Sequence, residues 1–162
     1  MVKQEEVFKK FVEDIATAQQ LNARSEDIEE AKRWIYKGGQ APLGEKIKSS
    51  VPEGFRSLIA ELERSSRLPN SRKELGEFFK GLIEYIDKIP SVKLNLAFFP
   101  GEEFLNKLTD WLENQLGKKA VVDVSLDERI IAGAMIEYAG EYRDYSFASK
   151  LDEVLKKEVG LL

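Results

Sequence analysis

From Val7 to Ile86 the apolar residues of this chain recur at helical spacing, and from Val92 onward the period drops to two. Between Val7 and Leu21, Phe8, Phe11, Val12, Ile15 and Ala18 are interleaved with Lys9, Lys10, Glu13 and Asp14, which predicts an amphipathic first helix. Ser25 followed by Glu26 and Asp27 predicts the start of a second, carrying Ile28, Ala31 and Ile35 inward and stopping at Gly38-Gly39. Pro42 opens a short third helix through Leu43 and Ile47, bounded by Val51-Pro52. Phe55, Leu58, Ile59 and Leu62 mark a fourth. Ser71 with Glu74 has the spacing of a capping box and starts a fifth, whose inward face is Leu75, Phe78, Phe79, Leu82, Ile83 and Ile86.

Pro90 ends that helix, and Val92, Leu94, Leu96 and Phe98 then alternate with Lys93, Asn95 and Ala97 as in a half-buried strand. After Pro100-Gly101, a helix through Phe104, Leu105, Leu108, Trp111, Leu112 and Leu116 runs to Gly117, and Lys118 to Val122 begin another strand. Asp127 to Ile131 read as a strand entering a close-packed corner at Ala132-Gly133. A further strand passes through Met135, Ile136 and Tyr138, Gly140 marks a turn, and Asp144 or Ser146 caps a last helix. The expected fold class is α+β and mainly helical. A bundle of five helices in residues 1–90 precedes a small α/β domain in 91–162 with a β-hairpin and a terminal helix, the boundary lying where the period changes.

Composition narrows the function classes. The 162 residues include no Cys and no His, which removes disulfides, thiol nucleophiles, imidazole bases and the usual zinc ligands together. Only carboxylates remain as metal ligands, and they favour Mg²⁺ or Ca²⁺. The formal net charge of −4 repels a phosphate backbone on average, so nucleic acid is not an expected partner. The N-terminus Met1 to Glu6 is acidic where a signal peptide carries an apolar run, and no apolar stretch reaches membrane-spanning length. A reducing cytoplasm is the expected location, with any membrane association made through a partner.

Three constellations invite chemistry. Gly39-Gln40-Ala41-Pro42-Leu43-Gly44-Glu45 has the glycine spacing of a phosphate loop, yet Glu45 stands where Lys would reach the phosphates and no Ser or Thr follows. The carboxylate pairs Glu29/Glu30, Glu102/Glu103 and Asp127/Glu128 sit at predicted helix starts and turns, where acids suit the helix dipole. No nucleophile, base and orienting group share a motif, so neither a catalytic set nor a cofactor is expected. Aromatic faces are the third: Phe8 and Phe11 on the first helix and Phe78 and Phe79 on the fifth are either core or the walls of a groove for a partner helix. Tyr142 and Tyr145, with Tyr138, read equally as cross-strand packing and as a partner contact.

The stretch Asp127-Glu128-Arg129-Ile130-Ile131-Ala132-Gly133, then Gly140, then Asp144-Tyr145-Ser146 and on to Lys150-Leu151 resembles the C-terminal signature of the delta subunit of F-type ATP synthases. That family is the bacterial counterpart of the mitochondrial oligomycin-sensitivity-conferring protein. By this resemblance the motif residues are Asp127, Ile131, Gly133, Gly140, Asp144, Ser146 and Leu151, most of them expected to build the fold rather than to touch a partner. The eleven steps from Gly133 to Asp144 match the family pattern, while Ala132 replaces the first glycine of a pair. Ala is strained there if a positive φ is needed and serves if only a small side chain fits beneath a helix; Ile131 and Met135 beside it suggest an uninterrupted strand and favour the latter.

The resemblance covers the chain from Val92 onward best. In the first half, six helices and a Tyr-Ala-x-Ala-Leu type opening would be usual, against five helices here and Phe8-Lys9-Lys10-Phe11-Val12 in that place. The resemblance implies a non-catalytic stator subunit. Its N-terminal domain would clasp the N-terminal helix of an alpha subunit, and its C-terminal domain would hold the C-terminal helices of the b subunits. Rivals from other classes are an adaptor of the same fold with a different helical partner, and an enzyme using carboxylates and Mg²⁺.

Overall fold

The computed structural model describes residues 2–37, 39–130, 132–146 and 149, which fall into two compact units. The first comprises Met1–Ile15 and Gln20–Ile89, and the second Ala16–Gln19 and Pro90–Leu162. The class is mixed α+β, with six helices and one four-stranded sheet among the described residues. Ile131, Leu151 and the expected terminal helix lie outside those residues, Ser149 apart.

The first unit holds α1 (Val2–Lys10), most of α2 (Ala18–Trp34), α3 (Leu43–Lys46), α4 (Glu53–Arg64) and α5 (Arg72–Ile86). Its core is aromatic. Phe8 meets Phe78 edge-on at 5.2 Å between ring centroids and Tyr85 at 5.7 Å, while Phe11 lies 5.9 Å from Phe55 and 6.3 Å from Phe78. These side chains come from α1, the turn after it, α4 and α5, so the space between the first and fifth helices is filled. Phe8, Phe11, Phe78 and Phe79 are all buried, so of the two readings open to them, core and groove wall, they take the first and form the interior that holds the helices together.

Two helix boundaries also differ from expectation. A single helix was predicted over Val7–Leu21, but α1 ends at Lys10, Phe11–Asp14 form a turn, and α2 begins at Ala18. The guanidinium of Arg24 on α2 donates to Phe11 O at 2.9 Å and to the Asp14 carboxylate at 3.1 Å, satisfying a carbonyl that the broken helix leaves without its own partner. Ser25, predicted as a cap, lies inside α2 and its hydroxyl donates back to Leu21 O at 3.2 Å. At α5 the prediction holds: Ser71 Oγ accepts from Glu74 N at 3.2 Å. The hydroxyl donates in turn to the Glu74 carboxylate at 2.8 Å.

The second unit is built on a sheet in the order β2-β1-β3-β4, from β1 (Ser91–Leu96), β2 (Val121–Leu126), β3 (Ala134–Tyr138) and β4 (Glu141–Asp144). β1 and β2 are parallel and joined through α6 (Glu102–Leu116); β3 and β4 are antiparallel additions. Alternation along β1 sends Val92, Leu94 and Leu96 to one face, where Val92, Ala120 and Val122 pack with Leu112 of α6 and with Leu105, Leu108 and Ile136. The other face is polar, with Lys93 paired to Glu137 at 3.2 Å and the Ser125 hydroxyl bonded to the Asn95 amide oxygen. A sheet wet on one side needs that alternation.

The outer edge of β2 is not bare. Thr17 forms a parallel bridge to Val122, and Val122 N donates to Ala16 O at 2.9 Å. Residues 16–19, the last two before α2 and its first two, therefore belong to the second unit although the chain on either side of them belongs to the first. Phe98 was read as the last inward residue of β1, but the strand ends at Leu96 and Phe98 is exposed. Residues 127–129, read as strand, form a turn instead, because the Asp127 side chain competes for the backbone hydrogen bonds.

Candidate functional site

Of the motif residues, Gly133, Asp144 and Ser146 meet at one corner of the second unit, Asp127 shapes the turn that leaves β2, and Gly140 lies in the hairpin turn at the other end of β3. Asp127 N continues the ladder by donating to Leu96 O at 3.0 Å, and Ile130 N closes the turn onto Asp127 O at 3.0 Å. Asp127 Oδ1 accepts from Arg129 N at 3.0 Å and from Arg129 Nε at 2.8 Å, while Oδ2 accepts from a terminal guanidinium nitrogen at 2.7 Å. The two-pronged Arg129 contact holds the carboxyl well below the usual range, at about 2. Its work is local: it shapes a turn that seats the buried Ile130.

The spacing from Gly133 to Asp144 is the register of a hairpin. Met135 pairs with Asp144 and Tyr138 with Glu141, leaving Ala139 and Gly140 at φ 51° and 82° as a two-residue turn. The pairing continues outward, with Tyr145 N donating to Ala134 O at 2.8 Å, so Gly133 arrives against Tyr145 and Ser146. Gly133 has φ 98°, and a Cβ there would press on the Tyr145 carbonyl oxygen and lie 2.8 Å from Ser146 Cα. Asp144 Oδ1 accepts from Ser146 N at 2.8 Å, and the buried Ser146 Oγ accepts from Ser149 N at 3.3 Å. Ala132, expected to fit beneath a helix within an uninterrupted strand, is exposed in a bend, and β3 starts only at Ala134. The left-handed residue of the pair is Gly133, which this chain keeps.

The glycine loop of the first unit is occupied from within. The Glu63 carboxylate on α4 accepts from Leu43 N at 2.6 Å and Gly44 N at 3.2 Å, taking the amides that a phosphate would need. Gly44 permits this approach, since a Cβ would lie 3.1 Å from Glu63 Oε2 and 3.3 Å from Ala60 Cβ. The adjoining cleft, of about 550 Å³, has Lys46 and Arg72 on its rim and Ile35 and Leu68 in its wall. Among the described residues no cluster of carboxylates is arranged to hold a metal ion, and no helix is long and apolar enough to cross a membrane.

Exposed apolar side chains are concentrated in the second unit. Among the described residues Tyr36 is the only large one in the first, whereas the second exposes Phe98, Phe99, Phe104, Trp111, Leu126, Tyr142 and Tyr145. Tyr142 and Tyr145, candidates from sequence, lie on or just after β4, and the Tyr142 hydroxyl sits 2.8 Å from the Met135 sulfur. Phe98, Phe99, Phe104 and Trp111 were not singled out as surface. The available signal was the Phe98-Phe99-Pro100-Gly101 run, which breaks the alternation of β1, and an apolar arc on α6 wider than one packing face requires.

The profile of the ATP synthase delta (OSCP) subunit family matches residues 2–157. The chain belongs to this family. Among its relatives are the ATP synthase subunit delta of Thermotoga petrophila, 33% identical over 105 residues that make up 65% of this chain and 55% of the relative. That of Thermotoga neapolitana is 32% identical over 132 residues, 79% of this chain and 69% of the relative. The ATP synthase subunit delta, sodium ion specific, of Propionigenium modestum is 32% identical over 123 residues, 75% of this chain and 70% of the relative. This delta-family chain thus spans little more than half the length of the first of them.

Proposed function

We propose that this delta-family chain is a non-catalytic stator subunit of a rotary ATP synthase, joining the catalytic head to the b-subunit stalk so that the head does not turn with the rotor. The single observation that carries the reading is the family match over residues 2–157. In this reading the two units are separate binding modules, residues 1–90 for the N-terminal helix of an alpha subunit and residues 91–162 for the C-terminal helices of the b subunits. Asp127, Gly133, Gly140, Asp144 and Ser146 act by building the second module, and Tyr142 and Tyr145 belong to its contact surface. The chain would reach the membrane only through the assembled complex, and its work would be mechanical, resting on desolvated apolar anchors rather than on ionised groups.

Two measurements test the reading. The purified chain is mixed with a soluble fragment of the b subunit from the same genome, and separately with the catalytic head. Stable co-elution with both is expected, and a chain that binds neither is not a stator. The alternative reading is an adaptor that keeps the fold and serves a different helical partner. Capture of neither stator partner, with tight binding of another helical protein, would decide for the adaptor.

A further inference from the structure

The cleft of the first unit has an apolar wall and two cations that the packing of the helices does not engage. It opens between the turn after α2, the loop from Gly39 to Leu43, α3 and the connection from α4 to α5, and its volume is about 550 Å³. Cavities of roughly 300–1,000 Å³ hold small ligands when an apolar lining is joined by a few fixed polar groups. Ile35, Leu43 and Leu68 supply a buried apolar wall here, and the half-buried Leu75 of α5 continues it.

The polar groups left free are of one sign. Glu63 is the one acid among the lining residues, and both of its carboxylate oxygens are engaged, by Leu43 N at 2.6 Å and Gly44 N at 3.2 Å. Lys46 of α3 and Arg72 of α5 also line the cleft, and among the described residues neither has a carboxylate within ion-pairing distance. Elsewhere in the same unit Lys10 pairs with Glu61, Arg24 with Asp14, Lys32 with Glu29 and Arg56 with Glu53. The chain around the cleft reinforces the sign: Arg64, Arg67, Arg72 and Lys73 follow one another with no acid between them. The next acid, Glu74, accepts from the Ser71 hydroxyl at 2.8 Å. Because α5 starts at Arg72, the positive end of its dipole lies at this rim as well.

Charge and shape together limit the occupant. The Arg72 guanidinium presents a planar fork suited to a carboxylate or a phosphate, and Lys46 adds a point charge. A neutral or cationic guest leaves both cations unmatched. A polyphosphate needs the amides that Glu63 already takes. A bare inorganic ion leaves the aliphatic wall uncovered.

We propose that this cleft binds a small amphipathic anion, a molecule with one carboxylate or phosphate head and an aliphatic body of a few carbons. Arg72 and Lys46 hold the head, and Ile35, Leu68 and Leu75 cover the body. The bound molecule ties the loop before α3 to the connection between α4 and α5, and so stabilises the first unit. The site is independent of the stator reading, since it needs no other subunit.

The test titrates the isotope-labelled full chain with hexanoate and with hexyl phosphate, following backbone amide signals by NMR. Acetate, hexanol and hexylamine are the ligand controls: the head alone, the body alone, and the body with the opposite charge. Saturable shifts at Leu43, Leu68 and Asn70 are expected with both anions, together with a higher melting temperature. The double variant Lys46→Gln/Arg72→Gln is expected to bind about tenfold more weakly. Its melting temperature without ligand should match wild type, because neither cation gives up an ion pair. Lys73→Gln removes a neighbouring exposed charge that does not line the cleft, and should stay within about twofold of wild type. An equal loss in Lys73→Gln, or acetate binding as tightly as hexanoate, assigns the anions to the basic surface at large and overturns the proposal. Hexanol or hexylamine binding as tightly as hexanoate makes the cleft an apolar crevice without a charge preference and also overturns it. So does the absence of any saturable shift. Each of these results leaves the stator reading untouched.

Discussion

In the first unit apolar periodicity is consumed by packing, so that Phe11, Phe55 and Phe79 are fully buried and Tyr36 is the one large apolar side chain exposed among the described residues. In the second, a four-stranded sheet has α6 on one face and a polar ladder on the other, and seven large apolar side chains among the described residues remain at the surface. The same residue type therefore does opposite work on either side of Pro90. Five helices can surround a shared interior, whereas a small sheet with an uneven cover has ends and edges where apolar side chains meet solvent. Patches of that kind mark interaction sites more often than scattered single residues do.

The comparison breaks most sharply at Gly133. Replacing it by Val adds a side chain to a backbone at φ 98° and drives it into the Tyr145 carbonyl and Ser146 Cα. A loss of more than about 4 kcal/mol is expected, confined to the second unit. Amide exchange would show β3 and β4 unprotected while α4 and α5 keep their protection. Unchanged exchange in the hairpin would mean that the corner is not the close approach described.

A matched pair of phenylalanines tests the contrast directly. Phe79→Ala empties a fully buried position in the first unit and is expected to cost about 3–5 kcal/mol in chemical denaturation. Phe99→Ala removes an exposed ring in the second and should stay within about 0.5 kcal/mol of wild type. Comparable losses at the two sites would erase the distinction between interior and surface. Ser71→Ala is a smaller effect on the first unit alone: loss of the cap on α5 is expected to cost about 1 kcal/mol, read as a lower denaturation midpoint at unchanged slope.

Local signals were enough for α4 and α5, because a helical apolar arc, Pro52 and the Ser71-Glu74 pair are all properties of adjacent residues. The hairpin was legible for a related reason, since the distance from Gly133 to Asp144 is itself a strand register. The break between α1 and α2 was not legible. Phe8, Phe11, Val12 and Ile15 are all buried, so the period continues through the turn, and the bridge from Thr17 to Val122, distant in sequence, is a tertiary contact that no local pattern announces. Phe98 failed in the same way: alternation can persist after the ladder has ended, and only the tertiary cover decides whether an inward-looking position is inside. The aromatic faces of α1 and α5 met the converse limit, since a wide apolar arc looks the same whether another helix of the chain or a partner fills it.

The smallest expected difference between the units is in acid. Each has one carboxylate held at about 2 by an arginine nearby in the chain: the exposed Glu53 by Arg56, with help from Ser57, and the half-buried Asp127 by Arg129, with help from the Arg129 backbone amide. Both folded values are depressed from an unfolded range near 4, so each contact stabilises its unit above about pH 4 and is lost as the pH falls through about 2. Glu53 sits in the first turn of a twelve-residue helix that stands without it, whereas Asp127 shapes the turn from β2 towards β3. Titrating between pH 4 and 2 should therefore release exchange protection at Ile130 before any change at the start of α4. Arg129→Gln should return the Asp127 titration, followed by carbon NMR of its carboxyl, towards about 4 and move that release to higher pH. An Asp127 carboxyl that already titrates near 4 in the wild type would remove the guanidinium from the account of this turn.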